Sequence, residues 1–371
     1  ITPYESTTQM PDIRLIAQDS LKIAITFGLA LSTGLMFHSL SMPAPYLMGS
    51  LFGVWAVGGA IKPLRPYLGV ARWFHIPVII GLAVLIGATF DTHLASQIQR
   101  WWKSLIVMML TTLIVCWLGY TVLTRLRGYD KRLAFFCCLP GGQAEALALA
   151  RQLLDKDYVV ALFHLVRVTI VFVSTPLLLA GLQGSEAVVQ SNTTLDTMPS
   201  LFSLSPHDSL LFVVIAVTGL AIALFLKLPL PYLLGPMSLS MFVHLMGWAE
   251  LPRIHEFVIL AQLVIGGAIG ARLAQVPFAE VLSYLKDATV NTLMIMGIYM
   301  LATVMMASLG ETGLLEIWLA FVPGGLYEVT LLALIFGFDV AFVAFHHTVR
   351  IIPLFFALSW FGKHLPDEPV R

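Results

Sequence analysis

Long apolar runs, broken by short polar or Pro/Gly-containing turns, dominate the pattern of this chain. Twelve can be drawn, at about 21–40, 45–61, 76–92, 103–124, 133–150, 158–180, 209–226, 231–248, 256–275, 288–308, 315–337 and 340–361. About 20 apolar residues in helical form cross a bilayer. The runs do not alternate polar with apolar as the strands of a membrane barrel do, so the pattern predicts membrane helices. Between the sixth and seventh runs lies a polar stretch, Gly181 to Asp208, rich in Ser, Thr and Asn and without Lys or Arg. It reads as a linker between two halves.

The halves repeat each other in order. Pro43-Ala44-Pro45-Tyr46-Leu47-Met48-Gly49 parallels Pro229-Leu230-Pro231-Tyr232-Leu233-Leu234-Gly235, and Ile86-Gly87-Ala88 parallels Ile269-Gly270-Ala271. Pro140-Gly141-Gly142-x-x-Glu145 parallels Pro323-Gly324-Gly325-x-x-Glu328, and His164-x-x-Arg167 parallels His347-x-x-Arg350. All fall at offsets of 183 to 186 residues. Chance does not keep four such matches in register, so the chain is read as an internal duplication.

Composition strengthens the membrane reading. Of 371 residues 58% are hydrophobic and 11% charged, where soluble domains carry about 25% charged residues. The formal net charge is zero, which gives no basic surface for nucleic acid. Cys116, Cys137 and Cys138 lie in apolar runs without zinc-ligand spacing and read as small buried residues. No metal or cofactor is expected.

Lys and Arg placement sets the topology. If the fifth run of each half crosses the membrane, twelve Lys and Arg fall inside and seven outside. If that run dips in and returns, sixteen fall inside and three outside (Arg100, Lys103 and Arg253), with Arg167 and Arg350 within runs. The re-entrant reading has a physical reason as well. Pro140 removes a backbone donor and Gly141-Gly142 favours a turn. Leu133 to Leu139 gives only seven apolar residues ahead of the break, roughly 10 Å of helix. Five crossings per half would invert the second half against the first, as in many secondary transporters.

The broken runs hold the candidate chemistry. A helix starting after each Pro-Gly-Gly has unpaired N–H groups and a positive dipole end, suited to an anion; an alternative is a Pro-kinked crossing helix. Glu145 and Glu328 fall in the first turn of those helices, as capping carboxylates or as proton or cation carriers. Arg167 and Arg350 need partners at membrane depth. Pairing with Glu145 and Glu328 is the favoured arrangement, and a grip on a substrate oxyanion the other. His164 and His347 share a helical face with the arginines and either satisfy interhelical bonds or relay protons. Asp155, Asp157 and Asp339 read as N-caps. The glycines at 81, 87, 266, 267 and 270 read as close-packing positions.

These motifs resemble the AbrB family of bacterial membrane proteins, often labelled ammonia monooxygenases or regulators, over about residues 21–360. The family's pattern, Pro-Gly-Gly with an acid, then an Asp and a His/Gln-x-x-Arg ending, falls on Pro140, Gly141, Gly142, Glu145, His164 and Arg167. In the second half it falls on Pro323, Gly324, Gly325, Glu328, Asp339, His347 and Arg350. Lys156 stands where the second half has Asp339, a departure from the pattern. The resemblance implies a duplicated membrane domain and a bacterial inner membrane. Its monooxygenase label fits poorly, since the histidines are scattered rather than gathered as ligands.

The resulting expectation is an all-α polytopic membrane protein of two inverted-topology repeats, with about ten transmembrane helices and two re-entrant broken hairpins. Its parts are a cytoplasmic segment 1–20, repeat 21–180, periplasmic linker 181–208, repeat 209–361 and cytoplasmic tail 362–371. The expected function is secondary transport of a small organic anion with H⁺ or Na⁺, not enzymatic catalysis; homo-oligomers are compatible with it. The alternatives are a membrane regulator, a membrane subunit of a monooxygenase-like enzyme, or a channel.

Overall fold

The computed structural model describes residues 13–92, 94–310 and 312–364. Most of the segment 1–20 and most of the tail 362–371 lie outside the described residues. The described chain is helical, with no strand. The first half holds α1 (Ile13–Ser39), α2 (Pro45–Ala60), α3 (Arg72–Gly87), α4 (Leu94–Thr121), α5 (Lys131–Cys138), α6 (Gln143–Leu153) and α7 (Asp157–Asp196). The second holds α8 (Pro206–Phe225), α9 (Pro231–Leu245), α10 (His255–Gln275), α11 (Phe278–Ala307), α12 (Leu314–Phe321), α13 (Leu326–Phe336) and α14 (Val340–His364). The two lists match element for element, as the duplication requires.

Among the described residues seven helices are long and apolar enough to cross a membrane: those at Ile16–Ser39, Ile98–Leu126, Asp157–Asp196, Pro206–Phe225, His255–Gln275, Val281–Ala307 and Val340–Leu358. This is fewer than the ten drawn from the sequence. The shortfall is α2, α3 and α9, which have 15 or 16 residues and rise only about 24 Å. The first turns of α2 are fully buried, as is most of the second half of α3, while α9 is only partly buried. Each expected fifth run is two short helices divided at the Pro-Gly-Gly.

The duplication extends to backbone strain. The turns before α2 and α9 place Ser41 and Ala44, then Lys227 and Leu230, at positive φ of 51°, 46°, 54° and 48°. Four non-glycine residues in the left-handed region, at matching positions, mark the same turn built twice. Pro45 and Pro231 then open the helices, where a missing N–H does no harm.

The halves interleave. α2 packs against α10 and α3 against α9, so each half's second helix lies on the other half's third. Close approach of backbones makes this crossing. A Cβ on Gly270 would stand 2.5 Å from the Leu51 carbonyl oxygen, and one on Gly87 would strike the Met237 carbonyl. Gly87, Gly266 and Gly270 therefore pack on the other half's second helix, while Gly81 meets Phe257 of α10 and Gly267 faces α1.

The polar stretch 181–208 is largely helical. α7 continues to Asp196 across a break at Gly184, whose φ of 80° and ψ of 179° are not helical. The segment beyond docks on three elements. Ser191 donates to the Ile335 carbonyl at 3.0 Å, Asn192 to the Met42 carbonyl at 3.2 Å, and the His255 ring meets the Leu195 carbonyl at 2.7 Å.

Candidate functional site

The site starts from two helix ends. α5 is eight residues long and is opened by Asp130, whose carboxylate accepts from the backbone N–H groups of Arg132 and Leu133. α12 is also eight residues long. Both stop because the residue before a proline is driven out of the helical region; Leu139 has ψ 123° and Val322 ψ 140°. A helix end leaves up to four carbonyls without intrahelical donors.

The sixth runs, now α7 and α14, supply the donors in the same way twice. Arg167 Nη1 donates to the Leu139 carbonyl. Arg350 Nη1 donates to the Phe321 carbonyl at 2.8 Å and Nη2 to the Val322 carbonyl at 3.1 Å. His164 Nε2 donates to the Phe136 carbonyl at 3.2 Å and His347 Nε2 to the Leu319 carbonyl at 2.9 Å. A carbonyl only accepts, so each Nε2 carries the hydrogen. Each Nδ1 then accepts from its arginine's Nη2, at 2.7 Å in both copies. The histidines are neutral in this arrangement and steer the guanidinium groups onto the helix ends. The positive charge also suits the negative end of the helix dipole.

Arg350 was expected to pair with Glu328, and the structure arranges it otherwise; the expected partner of Arg167, Glu145, has its side chain outside the described residues. Arg350 is held by carbonyls and His347, while the cation within electrostatic range of Glu328 is Arg272. Arg167 is likewise held by a carbonyl and His164. The reason is local: the broken helix ends offer acceptors within reach of α7 and α14. The side chain of Glu145 lies outside the described residues, though its backbone is in α6.

The two motifs converge. Arg167 and Arg350 are 3% and 1% exposed and lie close enough to repel each other. Tyr299 and Cys116 are within electrostatic range of both. Arg350 lies over the Tyr299 ring at 5.9 Å, and Tyr299 shares a hydrogen bond with Thr112 at 2.8 Å. The Nε atoms of both arginines are buried without a hydrogen-bond partner. Tyr299 and Thr112 carried no signal in the sequence, being polar atoms inside apolar runs with no repeated spacing.

The Pro-Gly-Gly breaks differ in detail. Gly142 caps α6 with φ 61°, a left-handed conformation, whereas Gly325 caps α13 with φ −74°. Gly325 is needed for another reason: the Glu328 carboxylate folds back over it, where a Cβ would stand. Pro140 and Pro323 stand at the ends of α5 and α12, with Leu354 of α14 against Gly141, and Val329 and Val171 against Gly324. Glu328 is 5% exposed, and one of its oxygens, Oε2, has no partner. It lines a cavity of about 20 Å³ together with His75, Gln143, Arg272 and Tyr327.

A larger cavity, about 360 Å³, lies at the other end of α12, lined by Arg100, Trp101, Ser104, Glu316, Asp339 and Phe342. Asp339 caps α14 by accepting from the Phe342 N–H at 2.9 Å. Its own N–H reaches Glu316 Oε1 at 3.4 Å, and Arg253 lies within its electrostatic range. Away from this cavity, Arg127 pairs with Asp287 at 2.6 Å, and Tyr129 donates to the same carboxylate at 3.0 Å. That contact raises the Arg127 guanidinium above its ordinary range, first through its hydrogen bond to Asp287. Among the described residues no three His, Cys, Asp or Glu side chains gather as a metal-ligand set.

Comparison with known proteins agrees with this architecture in extent. The chain is 25% identical over 342 residues to the uncharacterized protein YhjN of Bacillus subtilis (strain 168), covering 86% of this chain and 89% of that one. The sequence model of a family described as "Transition state regulatory protein AbrB" matches residues 56–365, which takes in α3 to α14 and both Pro-Gly-Gly motifs. The chain belongs to the AbrB family.

Proposed function

We propose that this chain is a secondary active transporter of a small organic anion, coupled to H⁺ or Na⁺, in a bacterial inner membrane. One observation carries the reading: two guanidinium groups from the two halves, both buried, held by carbonyls and neutral histidines. The helix ends that face them each supply about half an elementary negative charge. Among the described residues the pair thus keeps a positive charge of about one elementary unit, which a carboxylate or similar oxyanion between them would balance. Buried uncompensated charge is unfavourable enough that an occupant or a partner is expected.

The contact of the Asp339 N–H with Glu316 brings the start of α14 beside the start of α12. This supports a chain that enters and leaves on one face, the re-entrant hairpin. Tyr129, ahead of α5, and Tyr158, at the start of α7, both pack on Tyr284, as the same layout in the first half would have them. Arg100 and Arg253, two of the three cations assigned outside, lie around Asp339. Arg127 and Asp287 belong to the inner face in the same scheme. On this reading α2, α3 and α9 count among ten crossings, the second repeat is inverted, and both termini are cytoplasmic.

The test is a thermal-stability screen of the purified chain against mono-, di- and tricarboxylates, with and without Na⁺, followed by uptake of the stabilising acid into proteoliposomes. Stabilisation that disappears in Arg167→Gln and Arg350→Gln, with saturable uptake, supports the reading. Folded variants that bind and transport the acid as well as the native chain would overturn it. A regulatory role, named in the family's description, would show instead as a stable protein partner with no flux.

A further inference from the structure

The coupling ion can be narrowed by the surroundings of Glu328, an inference that rests on the transport reading. We propose that Glu328 is the single proton-carrying site of this protein, that the carried ion is H⁺ and not Na⁺, and that Arg272 is its counter-charge when the proton leaves. The geometry is specific. Oε2 is buried without a hydrogen-bond partner and lines a cavity of about 20 Å³, room for roughly one water. Tyr327 and Arg272 line the same cavity within electrostatic range of the carboxyl, and Arg272 is its cationic neighbour. A proton on Oε2 needs no further ligand: it cancels the charge and makes the oxygen a donor.

A sodium ion fits badly. It takes several oxygen ligands, commonly carbonyls at unwound helix breaks. Here the cavity is walled by Leu165, Val168, Ile265 and Ile269, with oxygen atoms offered by Gln143 and Tyr327. The remaining polar neighbours, Arg272 and His75, are a cation and a base. Among the described residues the elements packed on α13 bring no second acid to the cavity. α3 presents His75, α10 presents Arg272, and α7 presents Leu165 and Val168. On α14, Arg350 and His347 turn to the carbonyls of α12, while Glu316 of α12 lines the larger cavity with Asp339.

The duplication is broken at this cavity. In the first half Ala144 stands in the place of Tyr327, Thr89 in the place of Arg272, and the second half has Val258 where the first has His75. The acid itself is repeated, as Glu145, but its setting is not. One half therefore keeps a proton site, and Arg272, exposed and in the lining of its cavity, stands between it and the surface. The proton comes from water and returns to water; an O–H bond at Oε2 is all that forms and breaks.

The experiment records acid-minus-alkaline infrared spectra of the full chain in lipid, in sodium salts and in choline salts. The expected result is a protonated-carboxyl band that titrates with the same midpoint in both salts, is lost in Glu328→Gln, persists in Glu145→Gln, and shifts its midpoint in Arg272→Gln. A band that Na⁺ displaces, a band that depends on Glu145, or no band lost with Glu328 overturns the proposal. Should Glu328→Gln fail to fold, labelling of the native chain with an apolar carbodiimide replaces it. Modification of Glu328 that falls as pH rises and ignores Na⁺ supports the proposal, and modification blocked by Na⁺ or indifferent to pH overturns it. Neither readout needs a substrate. Their failure leaves the anion site standing, and a failed uptake assay leaves them untouched.

Discussion

Replacing Arg350 with Lys keeps the charge and removes the fork that joins α14 to α12. Arg350 makes three hydrogen bonds, to the carbonyls of Phe321 and Val322 and to His347 Nδ1. An ammonium on a shorter stem reaches one of these acceptors, leaving two without a donor in a dry interior. A buried acceptor left unpaired costs about 1–3 kcal/mol, so the loss is about 2–6 kcal/mol if the site does not rearrange. The end of α12 and the break at Pro323 should loosen before the rest of the fold, because they are what the fork holds. Amide hydrogen exchange in lipid nanodiscs reads this directly, peptide by peptide. The expected outcome is faster exchange over residues 319–326 in Arg350→Lys, with α2, α9 and α10 unchanged, and a matching loss of stability. Exchange at the α12 end equal to that of the native chain, with stability within about 0.5 kcal/mol, would refute the claim that the guanidinium closes the helix end.

Other perturbations follow from the same coordinates. Gly270→Ala presses a Cβ on the Leu51 carbonyl and should destabilise the α2–α10 crossing by about 1–3 kcal/mol; Gly59→Ala, with open space around it, is the control and should be neutral or stabilising in thermal unfolding. Lys227→Gly relaxes an exposed residue at φ 54° and should raise stability by up to about 1 kcal/mol, less the entropy of glycine in the unfolded chain. Gly142→Ala forces a side chain into φ 61° and should lower stability by about 1 kcal/mol or more, whereas Gly325→Ala should act by displacing the Glu328 carboxylate and so move the infrared band rather than the melting point. Arg127→Ala should leave Asp287 with Tyr129 alone and shift the carboxylate's infrared signature.

Much of the arrangement was legible in the chain because the physics behind it is local. Apolar runs of fixed length call for helices where no water is available to bond the backbone. A proline followed by two glycines stops a helix whatever surrounds it, so the α5–α6 and α12–α13 breaks were readable from residues 140–142 and 323–325. The repeat was readable because both copies kept the same breakers, the same histidine–arginine pair and the same glycines. The neighbours of the functional side chains were less so. Charge complementarity paired Arg350 with Glu328 on paper, since the sequence shows a base and an acid but not the orphan carbonyls at a helix end. In space those carbonyls compete for the guanidinium and hold it, and the acid finds Tyr327 and Arg272 instead. Helix length misled for a similar reason: α2, α3 and α9 are shorter than a lipid-facing crossing needs, and they pack on one another's halves, α2 on α10 and α3 on α9.

By itself, then, the order of residues determined the helices, their interruptions and the duplication, since each depends on a few adjacent side chains and on the absence of water. Only the folded chain decided which half lies on which, α2 on α10 and α3 on α9, and which groups gather at the centre. Those outcomes depend on contacts between residues some 200 positions apart, such as Ser50 with Gln262. No local rule weighs one distant partner against another; that choice is made by close packing and by the need of every buried polar atom for a bond.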